Sequence, residues 1–216
     1  VTGSPIKEVY IQMEKKFKKS SILNKLKLTP KKYIAASIHR EENVDKKGSL
    51  ELMVDSYSAL AKKYALPVVV STHPRTLIRL KELDLIKSSH SNINWHKPFG
   101  LIDYIWLQKN SLCVVSDSGT IHEDASILNF PAIAIRNSTE KKESLEAGHV
   151  VITGLEPDDV LRSVDFILND KIKINELPMP SDYNVDNVSS KVVKIILSMN
   201  KIVDELVWGD PDKKYI

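Results

Sequence analysis

Short apolar runs alternate with segments of helical periodicity along the whole of this chain. The runs are rich in Val, Ile and Ala, and the stretches between them are long enough to form helices. This alternation predicts a parallel sheet, because consecutive parallel strands need a crossover connection that is usually a helix. The fold class that we predict is therefore α/β: a Rossmann-like parallel sheet with helices on both of its faces.

Hydrophobic periodicity also predicts the boundaries of the elements. Six strands are expected, at 33–38, 67–71, 92–96, 111–115, 132–135 and 150–153. Helices are expected at 6–23, 49–64, 76–83, 101–109, 119–128, 157–168 and 185–207. The segments predicted to be loops or irregular structure are 39–48, 138–146 and 171–184.

Composition excludes several classes of protein. The chain has 216 residues, enough for a sizeable core, and its contents of 42% hydrophobic and 27% charged residues are typical of a globular protein. The longest apolar runs are far too short to cross a membrane, and a net charge of +3 is too small to indicate nucleic-acid binding. We therefore expect no membrane and no nucleic-acid partner. The lysine-rich segment 15–32 is interpreted as a solvated helix face and its following loop.

Cysteine and glycine usage and the first residue of the sequence add further expectations. The single cysteine, Cys113, lies in an apolar run; it excludes an intramolecular disulfide and fits a cytoplasmic protein. The chain lacks both the paired spacings of metal sites and the glycine-rich fingerprint of dinucleotide-binding proteins, so we expect neither a metal nor a cofactor. Because the sequence begins at Val1 rather than methionine, we expect it to be part of a longer protein.

The segment 116–124, Ser-Asp-Ser-Gly-Thr-Ile-His-Glu-Asp, carries the clearest chemical signal. It lies between a predicted strand and a predicted helix, with the turn at Ser118 and Gly119. Such a turn presents free backbone N–H groups and the positive end of the helix dipole, which together favour a phosphate. An alternative interpretation is that Asp117 or Ser118 only caps the helix.

Polar segments follow other predicted strands in the same way. In doubly wound sheets, ligands bind outside the carboxyl ends of the strands, so these segments are expected to meet at one edge. They are 39–43, 72–75, 98–100 and 117–123, and Arg136 follows the next strand. The sequence therefore predicts a single site at this edge.

Each candidate in that site has a plainer alternative. His39 is suited to proton transfer near neutral pH, or else it braces a loop; its position level with the phosphate turn favours proton transfer. His73 binds a sugar or phosphate, or packs within its loop. Phe99 stacks on a base, or fills space beneath its loop. Arg136 and the lysines at 141–142 neutralise a diphosphate, or the lysines are merely solvated.

Taken together, these motifs resemble the UDP-N-acetylglucosamine 2-epimerase family of the non-hydrolysing type. The resemblance extends over about residues 1–170, and the joint order and spacing of the motifs make it specific. The motifs are Ser37-Ile38-His39-Arg40-Glu41-Glu42-Asn43, Thr72-His73-Pro74, Asp117-Ser118-Gly119 with Glu123, and Arg136 with Thr139-Glu140 and Glu146-Ala147-Gly148. Segments 117–121 and 126–131 are most similar to the branch that acts on UDP-linked amino-deoxysugars for capsule or O-antigen synthesis.

The resemblance implies a two-domain fold like that of B-type glycosyltransferases, with the active site in the cleft. This chain would be the carboxyl-terminal, UDP-binding half. Residues 1–184 would form the Rossmann-like domain, and residues 185–216 a helix and tail that pack toward an amino-terminal domain. The resemblance also implies a homodimer in the full-length protein.

The same resemblance implies roles for individual residues. His39 would be catalytic, 118–120 would form the diphosphate turn, and Phe99 would lie near uracil. Glu123 would bind ribose, with Asp124 as the alternative. The residues implied to bind the substrate are Arg40, Glu42, Asn43, His73, Phe99, Ser118, Gly119, Thr120, Glu123, Arg136 and Glu140.

Two residues, Lys141 and Lys142, depart from the family pattern. Where the family usually reads Thr-Glu-Arg-Pro-Glu, residues 139–143 read Thr-Glu-Lys-Lys-Glu. Lys141 lacks the planar, bidentate fork of arginine, so a phosphate contact at this position is in doubt.

The implied reaction is inversion at C2 of a UDP-HexNAc by elimination and re-addition of UDP, in the synthesis of cell-surface polysaccharide precursors. Because the family's other catalytic carboxylates lie in the amino-terminal half, we expect this chain to bind UDP or UDP-sugar weakly without turning it over. Two alternatives stay open: the nucleotide-binding domain of a UDP-sugar glycosyltransferase, and a non-catalytic nucleotide-sugar sensor. The motif at 39–43 favours the epimerase.

Overall fold

The computed structural model describes residues 1–38, 40–46, 48–137 and 141–209, without the side chains of Glu41 and Glu42. In these residues six strands form one sheet, in which all neighbours are parallel and the order is β3-β2-β1-β4-β5-β6. The strands are β1 (Ile34–Ile38), β2 (Val68–Thr72), β3 (Ile93–His96), β4 (Val114–Ser116), β5 (Ala132–Ile135) and β6 (Val150–Thr153). The predicted α/β class with a parallel sheet is confirmed.

Helices connect these strands and cover the sheet. They are α1 (Ile6–Phe17), α2 (Ile22–Lys25), α3 (Glu41–Asp45), α4 (Ser49–Tyr64), α5 (Pro74–Glu82), α6 (Leu85–Ser88), α7 (Leu101–Asn110), α8 (Ile121–Leu128), α9 (Lys142–Glu146), α10 (Pro157–Asn169) and α11 (Val188–Val203). A short 3₁₀ turn at Ile174–Glu176 and a π-helical turn at Asp204–Trp208 complete the helical segments of the described residues.

The sheet has an apolar core on each face, because successive residues of a strand point to opposite sides. Ile34, Ala36 and Ile38 of β1 pack on the face that is covered by α4 and α10. Tyr33 and Ala35 pack on the other face, together with apolar residues of α7 and α8. Both faces are therefore buried, as a parallel sheet requires.

A smaller cluster fixes the first helix beside the sheet. Tyr10 and Phe17 of α1 are buried against Ile105 of α7, and the two rings meet edge to face with centroids 5.9 Å apart. This packing carries the segment before α1 to the carboxyl edge of the sheet, where Ser4 meets Glu123 of α8.

The strand order reverses between β1 and β4, which makes this pair the topological switch point of the sheet. The last rung of their ladder pairs Ser37 with Ser116, and the next residues of both strands enter the polar segments 39–43 and 117–120. The fold therefore places two of the predicted site segments side by side.

The predicted single helix at 6–23 is wrong, because the chain turns between α1 and α2. The N–H of Ser20 donates to the carbonyl of Phe17 at 3.0 Å. The Ser20 hydroxyl then accepts the N–H of Ile22 at 3.2 Å and donates to Asp103 of α7 at 2.6 Å. Both short helices can thus pack against α7, which one straight helix could not do along its whole length.

Predicted loops and the last helix also needed correction. The described parts of 39–48 and 138–146 contain the short helices α3 and α9. The last helix begins at Val188 rather than at 185. In its first turn, the N–H of Ser189 donates to the carboxylate of Glu8 at 3.2 Å. Its position is therefore decided by a residue of α1, which lies far away in sequence.

Helix α11 has a largely exposed apolar surface. Leu197 is 74% exposed, and Leu206 and Trp208 in the following π-helical turn are 81% and 69% exposed. Among the described residues, no helix combines the length and apolar character that crossing a bilayer requires.

Candidate functional site

Paired serines close the sheet at the switch point. The hydroxyls of Ser37 and Ser116 lie 2.6 Å apart, and both side chains are buried. Tyr57 of α4 donates its hydroxyl to the Ser37 carbonyl at 3.2 Å, and the Ser118 N–H donates to the Ser116 hydroxyl at 3.0 Å. These hydrogen bonds therefore fix the position at which the turn after β4 begins.

Beyond this point, the residues 118–120 form the turn that we call the phosphate turn. The hydroxyls of Ser118 and Thr120 lie 3.0 Å apart, and the Thr120 N–H donates to the Ser118 hydroxyl at 3.2 Å. Among the described residues, a side chain added at Gly119 would approach only the guanidinium of Arg136, at 3.9 Å, so the turn has room beside this glycine. This space at the N-terminus of α8 suits an anion.

Asp117 does not cap α8, so that alternative interpretation is wrong for this residue. Helix α8 begins after Thr120 without a side-chain cap among the described residues. Asp117 is fully buried, and its Oδ2 accepts the N–H of Arg40 at 3.0 Å and the side-chain amide of Asn43 at 3.3 Å. It joins the segment after β1 to the phosphate turn.

Arg136 lies beneath the phosphate turn. It follows β5, its N–H donates to the Thr153 carbonyl at 2.9 Å, and its side chain is 0% exposed. A buried guanidinium next to Gly119 provides positive potential at the turn without reaching the solvent. The predicted contact between Arg136 and a phosphate stays a prediction.

Two buried groups near the turn have shifted pKa values: the pKa of His122 is lowered and that of Asp124 is raised. Burial, followed by the charges of Arg136 and Lys141, lowers the pKa of His122 from 6.5 to about 4. Its Nδ1 lies 2.5 Å from the hydroxyl of Ser144. Burial raises the pKa of Asp124 from 3.8 to about 6, against the lowering effect of its hydrogen bonds.

These shifts predict how stability depends on pH. Unfolded His122 takes up a proton near pH 6.5 but the folded residue only near pH 4, so it lowers stability as pH falls between these values. Folded Asp124 takes up a proton near pH 6 and the unfolded residue near 3.8, so it raises stability over almost the same range. Each effect is on the order of 3 kcal/mol, and the two nearly cancel.

Removing either group should reveal how the remaining group makes the free energy of unfolding depend on pH. We expect His122→Gln to become more stable relative to the wild type as pH falls from about 7 to about 4.5, and Asp124→Asn to become less stable. Urea unfolding at the two pH values measures this difference, in which the other titrating groups cancel. Parallel pH profiles for all three proteins would contradict the prediction.

The two adjacent acids of α8 contact the start of the chain. Glu123 is 9% exposed; its Oε1 accepts the Ser4 hydroxyl at 2.5 Å, and its Oε2 pairs with Lys141 at 3.0 Å. Asp124 accepts the hydroxyl of Tyr10 on one oxygen and that of Thr120, at 3.3 Å, on the other. Sequence reasoning missed Ser4 and Tyr10, because neither lies in a motif and only the packing of α1 on α7 brings them here.

Lys141 is the residue whose phosphate contact was in doubt. It pairs with the carboxylate of Glu123. Because Glu123 is the predicted ribose-binding residue, the substitution of lysine for the usual arginine bears on the position of this acid.

Two candidates lie at the ends of β2 and β3. The N–H of His73 donates to the Ile38 carbonyl at 3.3 Å, and its Nδ1 accepts the N–H of Arg75 at 3.3 Å, so the exposed ring caps α5. Phe99 is half-buried, packs on the core beneath α7, and has its ring centroid 5.2 Å from that of His96. His96, the last residue of β3, therefore belongs to this edge as well.

The structure thus brings together Arg40, Asn43 and the phosphate turn, with Arg136 beneath it and Glu123 on the first turn of α8. His73 and Phe99 lie on the same edge at the neighbouring strands. The predicted catalytic residue His39 and the predicted binding residue Glu140 lie outside the described residues, as does the side chain of Glu42, whose backbone belongs to α3. In the described chain, no group of three or more His, Cys, Asp or Glu residues is arranged to hold a metal ion.

These features define a doubly wound α/β domain with a turn suited to an anion at its topological switch point. The chain belongs to the UDP-N-acetylglucosamine 2-epimerase family, whose sequence profile matches residues 1–197. The resemblance expected from the motifs is therefore confirmed.

Individual relatives support this membership. The UDP-N-acetylglucosamine 2-epimerase of Methanococcus maripaludis is 32% identical over 174 residues, which cover 78% of this chain and 47% of that protein. The structure of the UDP-N-acetylglucosamine 2-epimerase from Rickettsia bellii superposes with a TM-score of 0.83 at 38% identity, covering 97% of this chain and 56% of that one. The Methanocaldococcus jannaschii UDP-GlcNAc 2-epimerase in complex with UDP-GlcNAc and UDP superposes with a TM-score of 0.82 at 28% identity, covering 92% and 54%. The chain spans about half the length of the relatives it matches.

Proposed function

We propose that this chain is the UDP-binding half of an enzyme that inverts C2 of UDP-N-acetylglucosamine or a related UDP-HexNAc. The observation that carries the proposal is the phosphate turn, with room beside Gly119 and the buried guanidinium of Arg136 beneath it. Membership of the family supports the choice of UDP over other anions, and the M. jannaschii relative is described as a complex with UDP-GlcNAc and UDP.

In this proposal the diphosphate binds at Ser118, Gly119 and Thr120. The Gly119 N–H and the Ser118 hydroxyl donate to its oxygens, while the N–H groups of Ser118 and Thr120 keep their bonds to neighbouring hydroxyls. Arg136 stabilises the charge of the diphosphate from below. Elimination breaks the bond between C1 and the diphosphate oxygen, so that UDP leaves with the electron pair while a proton is removed from C2. Re-addition of UDP and return of a proton to the opposite face complete the inversion. The phosphate turn stabilises the departing charge, which is the contribution of this half to the rate.

The other predicted residues keep their proposed roles. His39 is the catalytic residue of this half, and Phe99 lies near uracil. Glu123 binds ribose, and its carboxylate has further acceptor positions beside those used by Ser4 and Lys141. The residues proposed to complete the substrate site are Arg40, Glu42, Asn43, His73 and Glu140.

The arrangement of the whole protein is also proposed. Residues 1–184 form the UDP-binding domain, and the segment from 185 packs toward an amino-terminal half. The exposed apolar side chains of α11, such as Leu197, support this packing, because contiguous apolar surface marks a contact site. A homodimer and a role in cell-surface polysaccharide synthesis, in the branch that acts on UDP-linked amino-deoxysugars, follow from the family resemblance alone. A cytoplasmic location is proposed from the single cysteine.

Calorimetric titration of the 216-residue chain tests the nucleotide site. We expect affinity to rise from uridine to UMP to UDP, because each added phosphate engages the turn. The chain alone should convert no UDP-N-acetylglucosamine, because proton abstraction from C2 needs the carboxylates of the other half. Equal affinities for uridine and UDP would reject the phosphate turn as the site. Turnover by the chain alone would reject the proposal that the catalytic carboxylates lie in the other half of the protein.

A chimera separates the epimerase from the two alternatives. The chain is joined behind the amino-terminal half of the M. jannaschii relative and incubated with UDP-N-acetylglucosamine without an acceptor. An epimerase forms the C2 epimer, a glycosyltransferase needs an acceptor, and a sensor shows binding without conversion. His39→Ala in the chimera should abolish conversion and preserve UDP binding.

A further inference from the structure

One buried carboxylate connects the ends of two neighbouring strands. Asp117 is the first residue after the last rung of the ladder between β1 and β4, and its side chain is 0% exposed. Its Oδ2 accepts the backbone N–H of Arg40, just before α3, and the side-chain amide of Asn43, within α3. The side chain of Asp117 thus continues the pairing of the two strands beyond the point where their backbones separate.

The chemistry of these contacts makes them specific. Both bonds are made by N–H donors to a carboxylate, which is a stronger acceptor than a neutral amide oxygen. Burying a carboxylate is costly unless donors of this kind compensate for its lost hydration. A hydrophobic residue would fill the same space without fixing Arg40.

We propose that Asp117 is a positioning residue that holds Arg40 and Asn43 in register with the phosphate turn. A ligand that orders the turn should thereby also change the environment of Arg40 and Asn43 in the segment after β1. The proposed catalytic histidine precedes these residues in sequence. The inference rests on the proposed function only insofar as UDP is the ligand of the turn.

Amide NMR spectra of the 216-residue chain test this coupling. In the wild type, UDP should shift the amide signals of Ser118, Gly119 and Thr120 and also those of Arg40 and Asn43. In Asp117→Asn, the new NH₂ group faces two donors, so the segment after β1 loses its anchor. We expect the UDP-induced shifts at Arg40 and Asn43 to shrink at least about 3-fold while those of the turn persist.

A matched control lies at the other end of α3. Asp45 is an exposed carboxylate that pairs with Arg75 at 2.8 Å, so Asp45→Asn makes the same chemical change without touching the strand junction. It should leave the UDP-induced shifts at Arg40 and Asn43 as they are in the wild type. If Asp117→Asn does not fold, Asn43→Ala, which removes one of the two donors, should still reduce the shift at Arg40.

Hydrogen exchange without ligand makes the test independent of UDP. The Arg40 amide should exchange at least about 10-fold faster in Asp117→Asn than in Asp45→Asn, beyond any change in global stability. Wild-type UDP shifts confined to the turn, or unchanged shifts and exchange at Arg40 in Asp117→Asn, would overturn the proposal. Absence of UDP shifts at 118–120 in every variant would instead reject the proposed function, and the exchange result would still decide the role of Asp117.

Discussion

Gly119→Val is expected to weaken UDP binding by about 100-fold or more, equivalent to about 2.7 kcal/mol, while the melting temperature stays near that of the wild type. Of the described residues, an added side chain at this position would approach only Arg136, at 3.9 Å, and the backbone of Gly119 does not have a positive φ. The fold therefore has room for valine. Binding should suffer because the branched side chain would crowd the diphosphate that we propose to bind at this residue, next to Arg136.

The control for this variant places valine at an exposed position outside the phosphate turn. Ser190→Val, on α11 and away from the sheet edge, should bind UDP as the wild type does. Calorimetry measures affinity, and a thermal scan confirms that both variants fold. Wild-type UDP affinity in Gly119→Val would show that the ligand binds elsewhere, whatever the family relationship suggests.

Phe130→Ala should lower the free energy of unfolding by about 3–5 kcal/mol, the range for emptying a fully buried aromatic position. Phe130 is 0% exposed and packs beneath α8 and β5, the two elements that present the phosphate turn and Arg136. Asn129, in the left-handed conformation with φ 56°, ends α8 and directs Phe130 into this core. The cavity would therefore lie in the core that supports both elements, at their ends opposite the site.

A second phenylalanine offers the matched comparison. Phe166 of α10 is 64% exposed, so Phe166→Ala should change stability by no more than about 0.5 kcal/mol. Urea unfolding measures both variants under the same conditions. A loss of stability in Phe130→Ala that does not exceed that of Phe166→Ala would contradict the packing described for this core.

Local sequence was sufficient to predict the bounds of an element where its hydrophobic pattern agrees with its burial in the fold. Strands β5 and β6 and helix α4 begin and end where the hydrophobic pattern predicted, because their residues are buried or amphipathic along their whole length. The phosphate turn was found from a strand, a Ser-Gly turn and a helix in succession, all of which lie within 20 residues of sequence. The predictions failed at the break between α1 and α2 and at the start of α11, where a contact with a distant residue decides the end of a helix.

The sequence by itself determined the parallel α/β class, the family and the segments that meet at the carboxyl edge, because strand period, turn chemistry and motif order are all local properties. Only the tertiary structure decided the partners of the charged residues at that edge. It assigned Asp117 to Arg40 and Asn43 rather than to the cap of α8, and Glu123 to Ser4 and Lys141. A carboxylate accepts any donor within reach, and which donors come within reach depends on how the strands and α1 pack against one another.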